Sequence, residues 1–447
     1  MHLACKFIVY SSVVPQELVD IIASRKIIVI KVIANQSMRD CSIMGINANE
    51  RERDTMAGNS SLGAAKQAKN DEFYTRYEDI EAEMNAYVEY NPDVFRGKTI
   101  LLPCDDPEWS NFTKYFAANF TWFGLKKLIS TSYAPSSSNE QLTLFESQSP
   151  LYDAEKHSTH GKVFTLTRDT DGSGQIDTDD IQFSSYLEGD GDFRSEEVTK
   201  LRDEADIIIT NPPFSLFREF LDWIMKAEKQ FIIIGNQNAI TYKEVFPLLK
   251  NNKIWLGEPF PSGNAYFYIP KHATIKTSDY ANGVFDESTR KVHFRNCRWF
   301  TNIDYGKRHE KLLLDTGEHN LRFNKKLHKR FESDYGIAEY RKYENYNAIE
   351  VPYVECIPSD YDDVMGVPIT FIDKYNPDQF EILGTSDNGL VPKEYKITDG
   401  LTQKFVDDYY AAGGKGAYKK GNPTAGIYKN GIASMIYKRI FIRAKRG

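Results

Sequence analysis

The sequence predicts an α/β protein built on a doubly wound, largely parallel sheet. Between residues 66 and 270, short apolar segments rich in β-branched residues alternate with helix-forming segments, which is typical of βαβ units. The clearest strand is 207–210, because Ile207, Ile208 and Ile209 form the uninterrupted apolar run of a strand buried on both faces. A chain of 447 residues is long enough for about two or three domains.

The predicted helices and strands alternate in the order that this fold requires. In chain order they are helix 79–88, strand 99–102, helix 110–119, strand 127–130, helix 196–202, strand 207–210, helix 216–227, strand 231–234, helix 242–250 and strand 254–256. Residues 134–185 interrupt the alternation with sequence that is rich first in Ser and then in Asp and Gly. We interpret this stretch as an insertion that contains a hairpin, with strands at 163–167 and 180–184.

The two ends of the chain differ from this central region. Residues 1–65 form a poorly defined N-terminal extension, with one strand predicted at 27–33. Beyond about residue 270 the alternation fades, and shorter aromatic-rich strands are predicted at 266–269 and 292–301. We therefore predict one domain at 66–270 and a second at 271–447. The second ends in a basic tail, with nine Lys or Arg and no acidic residue after Asp408.

Composition excludes several classes of protein. The net charge is −7, so the chain as a whole is not a polycation and any nucleic-acid surface must be local. The five cysteines lack Cys-x-x-Cys spacing, which argues against a disulfide framework or a zinc site and favours a reducing cytoplasm. No stretch of transmembrane length is free of charges, and the first ten residues lack the features of a secretory signal.

The tetrapeptide Asn211-Pro212-Pro213-Phe214 directly follows the isoleucine strand. Ligands of open α/β sheets bind at the carboxyl ends of the strands, so a rigid polar turn there is a candidate site. Two successive prolines fix the backbone and leave carbonyl groups and the Asn amide pointing outward, while the aromatic ring can stack on a planar ligand. This order suits an exocyclic amine on a flat heterocycle. The alternative is an ordinary strand-to-helix turn in which Ser215 caps the next helix.

Three weaker segments each admit a functional and a structural interpretation. Asp105 and Asp106 end strand 99–102, where carboxylates can hold ammonium or hydroxyl groups, or can simply start a helix. Asp192 and Phe193 lie in a Gly-Asp-rich loop ahead of the isoleucine strand, where they fit either an adenine or a surface turn. Residues 70–77 are either a capping turn with aromatic residues on the core or a lid over a cofactor.

Residues 169–180 match the twelve-residue calcium loop of an EF-hand at six positions. The last position is Asp180 where a bidentate Glu is usual, and the flanking segments are strand-like and not helical. We interpret these residues as a hairpin turn and assign no metal ligand there; the alternative is a calcium-binding loop.

Seven segments together carry a resemblance to a known family. They are Asp-Glu-Phe-Tyr-Thr at 71–75, Cys-Asp-Asp-Pro at 104–107, Gly-Asp-Gly-Asp-Phe-Arg at 189–194, Thr-Asn-Pro-Pro-Phe-Ser-Leu-Phe-Arg at 210–218, Ile-Thr-Tyr-Lys-Glu-Val-Phe at 240–246, Lys-Ile-Trp-Leu-Gly at 253–257 and Val-Met-Gly-Val-Pro-Ile-Thr-Phe at 364–371. In this order they closely resemble the EcoRI-type adenine-specific DNA methyltransferase family, from about residue 69 to 384. The last 60 or so residues match less clearly, and residues 1–65 do not match.

The resemblance implies an S-adenosylmethionine-dependent enzyme that methylates N6 of adenine in a short duplex DNA sequence. It implies a class I, Rossmann-like methyltransferase domain with an insertion at about 134–185, followed by a C-terminal target-recognition region. Asn211 and the Pro212 carbonyl, next to Pro213, would accept the two hydrogens of the amine of a flipped-out adenine, and Phe214 would stack on the base.

The resemblance also implies a set of cofactor-binding residues. Asp71, Phe73 and Thr75 would line the methionine end of S-adenosylmethionine, with Asp105 or Asp106 nearby, Asp192 and Phe193 at its adenine, and Asn211 between cofactor and base. No Gly-x-Gly follows the first strand and no acidic residue clearly ends the second, so the ribose contact is the assignment that departs most from the wider superfamily.

DNA contacts are predicted from two local groups of basic residues. They are Arg322, Lys325, Lys326, Lys329 and Arg330 in one segment, and Lys419 and Lys420 in the tail. The alternative for both groups is a solvated charged face.

The expected partner is double-stranded DNA, bound by a monomer without membrane association. The enzyme would act either alone or with a cognate restriction endonuclease at the same site. Two other hypotheses remain open: a methyltransferase of the same fold that acts on RNA or a protein glutamine, and a non-catalytic DNA-binding relative.

Overall fold

The computed structural model describes residues 73–445, except for 104, 108, 135–148, 158, 262–263 and 270–283. The described residues all belong to one compact unit, Gly58–Gly447. The N-terminal extension with its predicted strand at 27–33, and the predicted cofactor residue Asp71, lie outside the described residues. Among the described helices, none is long and apolar enough to cross a membrane.

The described residues form eighteen strands and nine α-helices, numbered here in chain order. The strands are β1 Tyr74–Thr75, β2 Thr99–Leu102, β3 Lys127–Ser132, β4 Lys162–Leu166, β5 Gln182–Tyr186, β6 Ile207–Thr210, β7 Gln230–Asn236, β8 Trp255–Leu256, β9 Asn264–Tyr268, β10 Phe285–Asp286, β11 Lys291–Arg295, β12 Cys297–Thr301, β13 Ile349–Glu350, β14 Met365–Pro368, β15 Phe380–Thr385, β16 Gly426–Lys429, β17 Ile432–Met435 and β18 Arg439–Ala444. The helices are α1 Tyr77–Tyr90, α2 Asn111–Ala118, α3 Phe120–Phe123, α4 Glu196–Glu204, α5 Phe217–Lys226, α6 Phe246–Lys250, α7 Gly317–Phe323, α8 Lys325–Tyr335 and α9 Gln403–Ala411.

Eight of these strands form a large mixed sheet in the order β5-β4-β3-β2-β6-β7-β12-β8. The central strands β3, β2, β6 and β7 are parallel. Every residue of β2 and β6 is buried, as expected of strands covered on both faces. The chain passes from β2 to β3 on one side and later to β6 on the other, so a topological switch point lies between β2 and β6. The predicted α/β architecture is confirmed, with antiparallel strands added at both edges of the parallel centre.

The predicted hairpin exists, but it is not separate from the large sheet. β4 pairs antiparallel with both β3 and β5, so the two strands extend the sheet at its edge. Its first strand completes the backbone hydrogen bonds of β3, and the interpretation of residues 134–185 as an insertion stays a prediction. The turn between them contains residues 169–180, as predicted. Their carboxylates accept bonds from nearby backbone amides, as Asp169 does from Gly172 and Gly174.

The single strand predicted at 292–301 is two strands in two different sheets. β11 pairs with β9 and β10, whereas β12 pairs antiparallel with β7 and β8 of the large sheet. Asn296, between them, has a φ of +63° and redirects the chain. Asn tolerates this left-handed conformation better than most residues, which explains the break. β12 lies beyond residue 270 but joins the large sheet, so this sheet extends past the predicted boundary. The division of the chain into two domains stays a prediction.

The predicted helix 242–250 is helical only from Phe246. A 3₁₀ turn, Gln237–Thr241, precedes it, and Pro247 lies in the first turn of α6. Proline has no N–H to bond to a preceding turn and suits a helix start, so it separates the two segments.

The basic tail is part of the C-terminal fold. Strand β18 lies in the centre of a second sheet, in the order β13-β14-β18-β15. Arg439 forms an ion pair with buried Glu350 at 2.6 Å, and Tyr343 donates a hydrogen bond to the same carboxylate. The tail cations Lys429, Lys438 and Arg443 also pair with acidic residues. Four of the nine cations after Asp408 are thus used within the fold.

Helix α1 buries an acidic side chain against the loop after β8. Glu83 is 0% exposed, and a Cβ on Gly257 would lie 1.9 Å from its Oε1. The carboxyl group accepts hydrogen bonds from the Tyr87 hydroxyl and from the Glu258 amide. Burial raises the pKa of Glu83 to about 8, so the folded protein holds this group protonated at neutral pH.

We expect Glu83 to make stability dependent on pH. A folded pKa above the unfolded value of 4.5 stabilises the fold fully below pH 4.5, and this contribution is lost as pH rises through about 8. In Glu83→Gln the side chain cannot ionise, so its Tm should fall less between pH 5 and pH 8 than that of the wild type. Thermal unfolding at a series of pH values measures this difference. The exposed Glu81→Gln is the control, and an undiminished pH dependence in Glu83→Gln would contradict the expectation.

Candidate active site

Asn211 lies directly after the central strand β6, on the side of the large sheet where the carboxyl ends of the parallel strands lie; this side is called the edge below. Its Nδ2 donates a hydrogen bond to the Phe73 carbonyl oxygen at 2.9 Å. Its Oδ1 is buried and has no hydrogen-bond partner among the described residues. A buried acceptor without a partner costs about 1–3 kcal/mol, so it indicates a group that a ligand completes. The bond to Phe73 fixes which end of the amide points toward that ligand.

An aromatic cluster encloses the turn after Asn211. The Phe214 ring centroid lies 6.1 Å from that of Phe73, 6.1 Å from Phe267 and 5.8 Å from Phe294. Phe214 is only partly buried, whereas the other three rings are buried. Phe267 and Phe294 come from β9 and β11, so the small sheet, ordered β1-β9-β11-β10, forms one wall of the site.

The side chain of Asp105, which follows β2, is hydrogen-bonded to the last residue of β6. Its carboxylate accepts hydrogen bonds from Thr210 Oγ1 and Ser110 Oγ, each at 2.7 Å. Burial raises the pKa of Asp105 to about 7. Because Thr210 precedes Asn211, this contact positions the strand end that carries the amide. Asp106, which follows, is partly buried.

The Gly-Asp-rich loop is held against the end of β3. Gly191 has a φ of +89°, and a Cβ there would lie 2.7 Å from the Ser132 carbonyl oxygen. Ala134 N donates to Asp190 O at 2.7 Å, and the Tyr133 hydroxyl donates to an Asp190 carboxylate oxygen at 2.6 Å. These contacts place the loop at the same edge of the sheet as Asn211.

Two buried hydroxyl groups close to these strand ends lack hydrogen-bond partners among the described residues. They are Thr75 Oγ1, on β1, and Ser132 Oγ, the last residue of β3. Asn111 Nδ2 donates to the Thr75 carbonyl oxygen at 2.7 Å, which ties β1 to the start of α2. Both hydroxyls thus mark a polar site along the edge. Thr75 was predicted, whereas Ser132 was missed because strand 127–130 was predicted two residues too short.

Asp192 and Phe193 point in different directions. The Asp192 side chain, 26% exposed, pairs with Arg194 at 2.6 Å, and this contact lowers its pKa. Phe193 is 2% exposed, and its ring packs edge-on against Phe220 and Trp223 at 4.9 and 5.5 Å. The Phe193 ring therefore anchors the loop in the core, and Asp192 is the side chain of the two that a ligand can reach.

The cations predicted to contact DNA lie on exposed segments of the C-terminal part. Arg322 is on α7, Lys325, Lys326, Lys329 and Arg330 are on α8, and Lys419 and Lys420 precede β16. Lys326 lies 3.6 Å from Glu355, and Arg330 pairs with Asp334 at 2.8 Å. Those two charges are partly neutralised within the protein.

The sequence of the chain is similar to those of a known family of enzymes. The profile of the family described as "Adenine-specific methyltransferase EcoRI" matches residues 61–445. The chain belongs to this family. Its relatives include the type II methyltransferase M.EcoRI of Escherichia coli, 42% identical over 327 residues, which cover 73% of this chain and 89% of the relative. No solved structure matches.

Two Mycoplasma relatives extend the comparison. The type II methyltransferase M.MgeORF184P of Mycoplasma genitalium is 32% identical over 361 residues, covering 79% of this chain and 95% of the relative. M.MpnI of Mycoplasma pneumoniae is 30% identical over 354 residues, covering 79% and 94%. The predicted resemblance is confirmed. The family is one of adenine-specific methyltransferases, and all three relatives are type II methyltransferases.

Proposed function

We propose that the chain transfers a methyl group from S-adenosylmethionine to N6 of an adenine flipped out of duplex DNA. The unpartnered Oδ1 of Asn211 carries this proposal. Because Phe73 holds Nδ2, the oxygen faces the site as an acceptor, which suits an amine that donates two hydrogens. Membership in an adenine-specific methyltransferase family supports the choice of adenine.

The chemistry requires positioning and not a strong base. The lone pair of the adenine amine is delocalised into the ring, so the amine is a poor nucleophile. Asn211 Oδ1 and the Pro212 carbonyl oxygen would each accept a hydrogen bond from the amine and favour a pyramidal nitrogen whose lone pair faces the methyl group. As the N–C bond forms, the C–S bond of the donor would break, and the methylated amine would then release one proton to solvent. Asn cannot act as a base, so the rate gain comes from orientation and electrostatic stabilisation. The base must leave the stack, at a cost of a few kcal/mol, which stacking on Phe214 would partly offset.

S-adenosylmethionine supplies an electrophilic methyl group on a sulfonium when it is bound. The sheet edge fits such a ligand, since Thr75 Oγ1 and Ser132 Oγ are buried hydroxyls in need of partners. The central order β3-β2-β6-β7, with β12 antiparallel between β7 and β8, supports a class I, Rossmann-like methyltransferase sheet. Phe73 and Thr75 would line the methionine end, Ser132 the ribose, and Asp192 the adenine. Asp105 would position the strand ends, with Asp106 next to it.

The C-terminal part would recognise the DNA. It contacts the large sheet at the end of β7, next to the strand end that carries Asn211. There the Tyr437 hydroxyl donates a hydrogen bond to Asn238 Oδ1 at 3.1 Å, in the turn after β7. Asn388 and Lys438 bind Thr241 in the same turn. We propose that the target-recognition region lies within residues 271–447, in the part that follows β12, and that the protein is a monomer that acts on double-stranded DNA, in a restriction-modification system or alone.

The test is methyl transfer from labelled S-adenosylmethionine to unmethylated genomic DNA, followed by long-read sequencing of modified positions. We expect N6-methyladenine in one short sequence motif. Label on RNA or protein but not on DNA would redirect the substrate assignment. Cofactor binding without transfer to any of the three would indicate a non-catalytic relative.

Replacing Phe214 with leucine tests its assigned contact with the base. The substitution keeps an apolar side chain but removes the stacking surface, which is worth about 1–3 kcal/mol per base. We expect kcat/KM for DNA to fall by about 5- to 150-fold, with little change in affinity for S-adenosylmethionine. Steady-state kinetics and calorimetric titration measure the two quantities. An equal loss in both would show that Phe214 contributes only to packing.

A further inference from the structure

The small sheet has a second face, which points away from the aromatic cluster. Along β9 and β11 alternate residues are buried, and those between them form an outer face. The residues of this outer face are Asn264, Tyr266, Tyr268, Lys291, His293 and Arg295. On the inner side, Phe267 and Phe294 pack on Phe214. The two faces therefore belong to one sheet: the inner face forms the wall of the candidate active site, and the outer face lies on its other side.

On this outer face, aromatic rings stack on one another and cationic side chains lie close to the rings. Tyr266 and His293 are cross-strand partners whose rings stack at 4.9 Å and 15°. Lys291 Nζ lies 5.2 Å from the Tyr266 ring centroid and 5.9 Å from that of Tyr268. The Nε2 of His293 is buried and has no hydrogen-bond partner among the described residues. The face thus combines fixed cations with a polar group that needs a partner.

The net charge of this face comes from Lys291 and Arg295. Neither lies within ion-pair distance of a described acidic residue. Arg76, which lies over Tyr266, is paired with Asp79 at 2.7 Å, and the charge of Lys291 also acts on Asp79. The acidic Asp286 of β10 lies opposite Lys291 at the sheet edge. Its carboxylate accepts hydrogen bonds from neighbouring hydroxyl groups of the turn that follows. Two cations without a close ion pair, beside stacked rings, suit a polyanion with planar groups.

We propose that this outer face binds the DNA phosphate backbone next to the target adenine, an inference that rests on the proposed function. A flipped nucleotide stays joined to its neighbours, so the backbone on either side must pass close to Asn211 and Phe214. Strand β1 continues directly from Phe73, which holds Asn211, and pairs with β9. Through β1, the sheet that carries the outer face is therefore directly connected to the residues that would hold the flipped nucleotide. Lys291 and Arg295 would contact phosphates.

The double variant Lys291→Gln/Arg295→Gln tests this surface. Binding of a fluorescent duplex with the methylation motif is measured by anisotropy at several salt concentrations. We expect weaker binding and a decrease of about 2 in the slope of log affinity against log salt, about one for each lost phosphate contact. The matched control is Lys200→Gln/Lys226→Gln, which removes two exposed lysines from the flanking helices α4 and α5 and should keep the wild-type slope. Affinity for S-adenosylmethionine, unchanged in both, shows that the variants are folded.

An unchanged slope and affinity in the folded double variant would overturn the inference. Photocross-linking of wild-type protein to duplex DNA containing 5-iodouracil beside the target adenine gives a second measurement. Cross-links to Tyr266 or Tyr268 support the surface, and cross-links confined to α8 or to residues 419–420 contradict it. A wild-type protein that transfers no methyl group to DNA would instead refute the proposed function and this inference with it.

Discussion

Asn211→Ala is expected to lower the rate of methyl transfer to DNA by about 10²–10³-fold, the loss typical of removing one preorganised electrostatic contact. The amide supplies the only side-chain acceptor assigned to the adenine amine, and Phe73 holds it in place. Alanine removes this acceptor and leaves the Phe73 carbonyl oxygen without its donor. Single-turnover transfer of label from S-adenosylmethionine to a duplex containing the motif measures the chemical step.

The control for this loss is Asn251→Ala. Asn251 is exposed at the end of α6, ahead of β8 and thus at the opposite edge of the sheet, so its loss should leave the rate unchanged. Thermal unfolding of both variants separates catalysis from stability. If Asn211→Ala kept its fold and transferred methyl groups at nearly the wild-type rate, the assignment of Asn211 to the amine would be wrong.

Gly191→Ala is expected to weaken the binding of S-adenosylmethionine by about tenfold or more. The backbone conformation at φ +89° costs about 1–2 kcal/mol for a residue with a Cβ, and 1.4 kcal/mol is a factor of ten. The added Cβ would also lie 2.7 Å from the Ser132 carbonyl oxygen and push the loop away from β3. Isothermal titration of the cofactor measures the effect.

Gly189→Ala is the matched control in the same loop. A Cβ at Gly189 meets no atom within 4 Å, and its φ lies outside the left-handed region. Its affinity for the cofactor should therefore stay close to that of the wild type. Equal affinities in Gly191→Ala and the wild type would show that this loop does not line the cofactor site.

The sequence predicted the central strands well because their signal is local. The bounds of β2 and β6 match the predicted 99–102 and 207–210, since an apolar run bounded by polar residues marks a buried strand without knowledge of its neighbours. Strand pairing is not local. The break at Asn296 and the addition of β4 to the large sheet depend on partners far along the chain, which no short pattern contains.

The candidate site shows the same division. The Asn-Pro-Pro-Phe turn could be found from the sequence because its residue types are unusual directly after a strand. Phe193 and Asp105 were recognised as members of motifs, but only the structure shows that the Phe193 ring is in the core and that Asp105 binds Thr210. Ser132 has no distinctive neighbours in the sequence. It stands out only as a buried hydroxyl without a partner at the end of β3.

The sequence alone thus determined the family, the α/β class and the turn that carries Asn211, because these depend on residue types in a fixed order. The tertiary structure decided which side chains face the strand ends and how the tail cations are used. It also decided that the small sheet joins the active-site wall to a cationic outer face. Side-chain direction and charge pairing arise from contacts between distant segments, and those contacts exist only when the chain is folded.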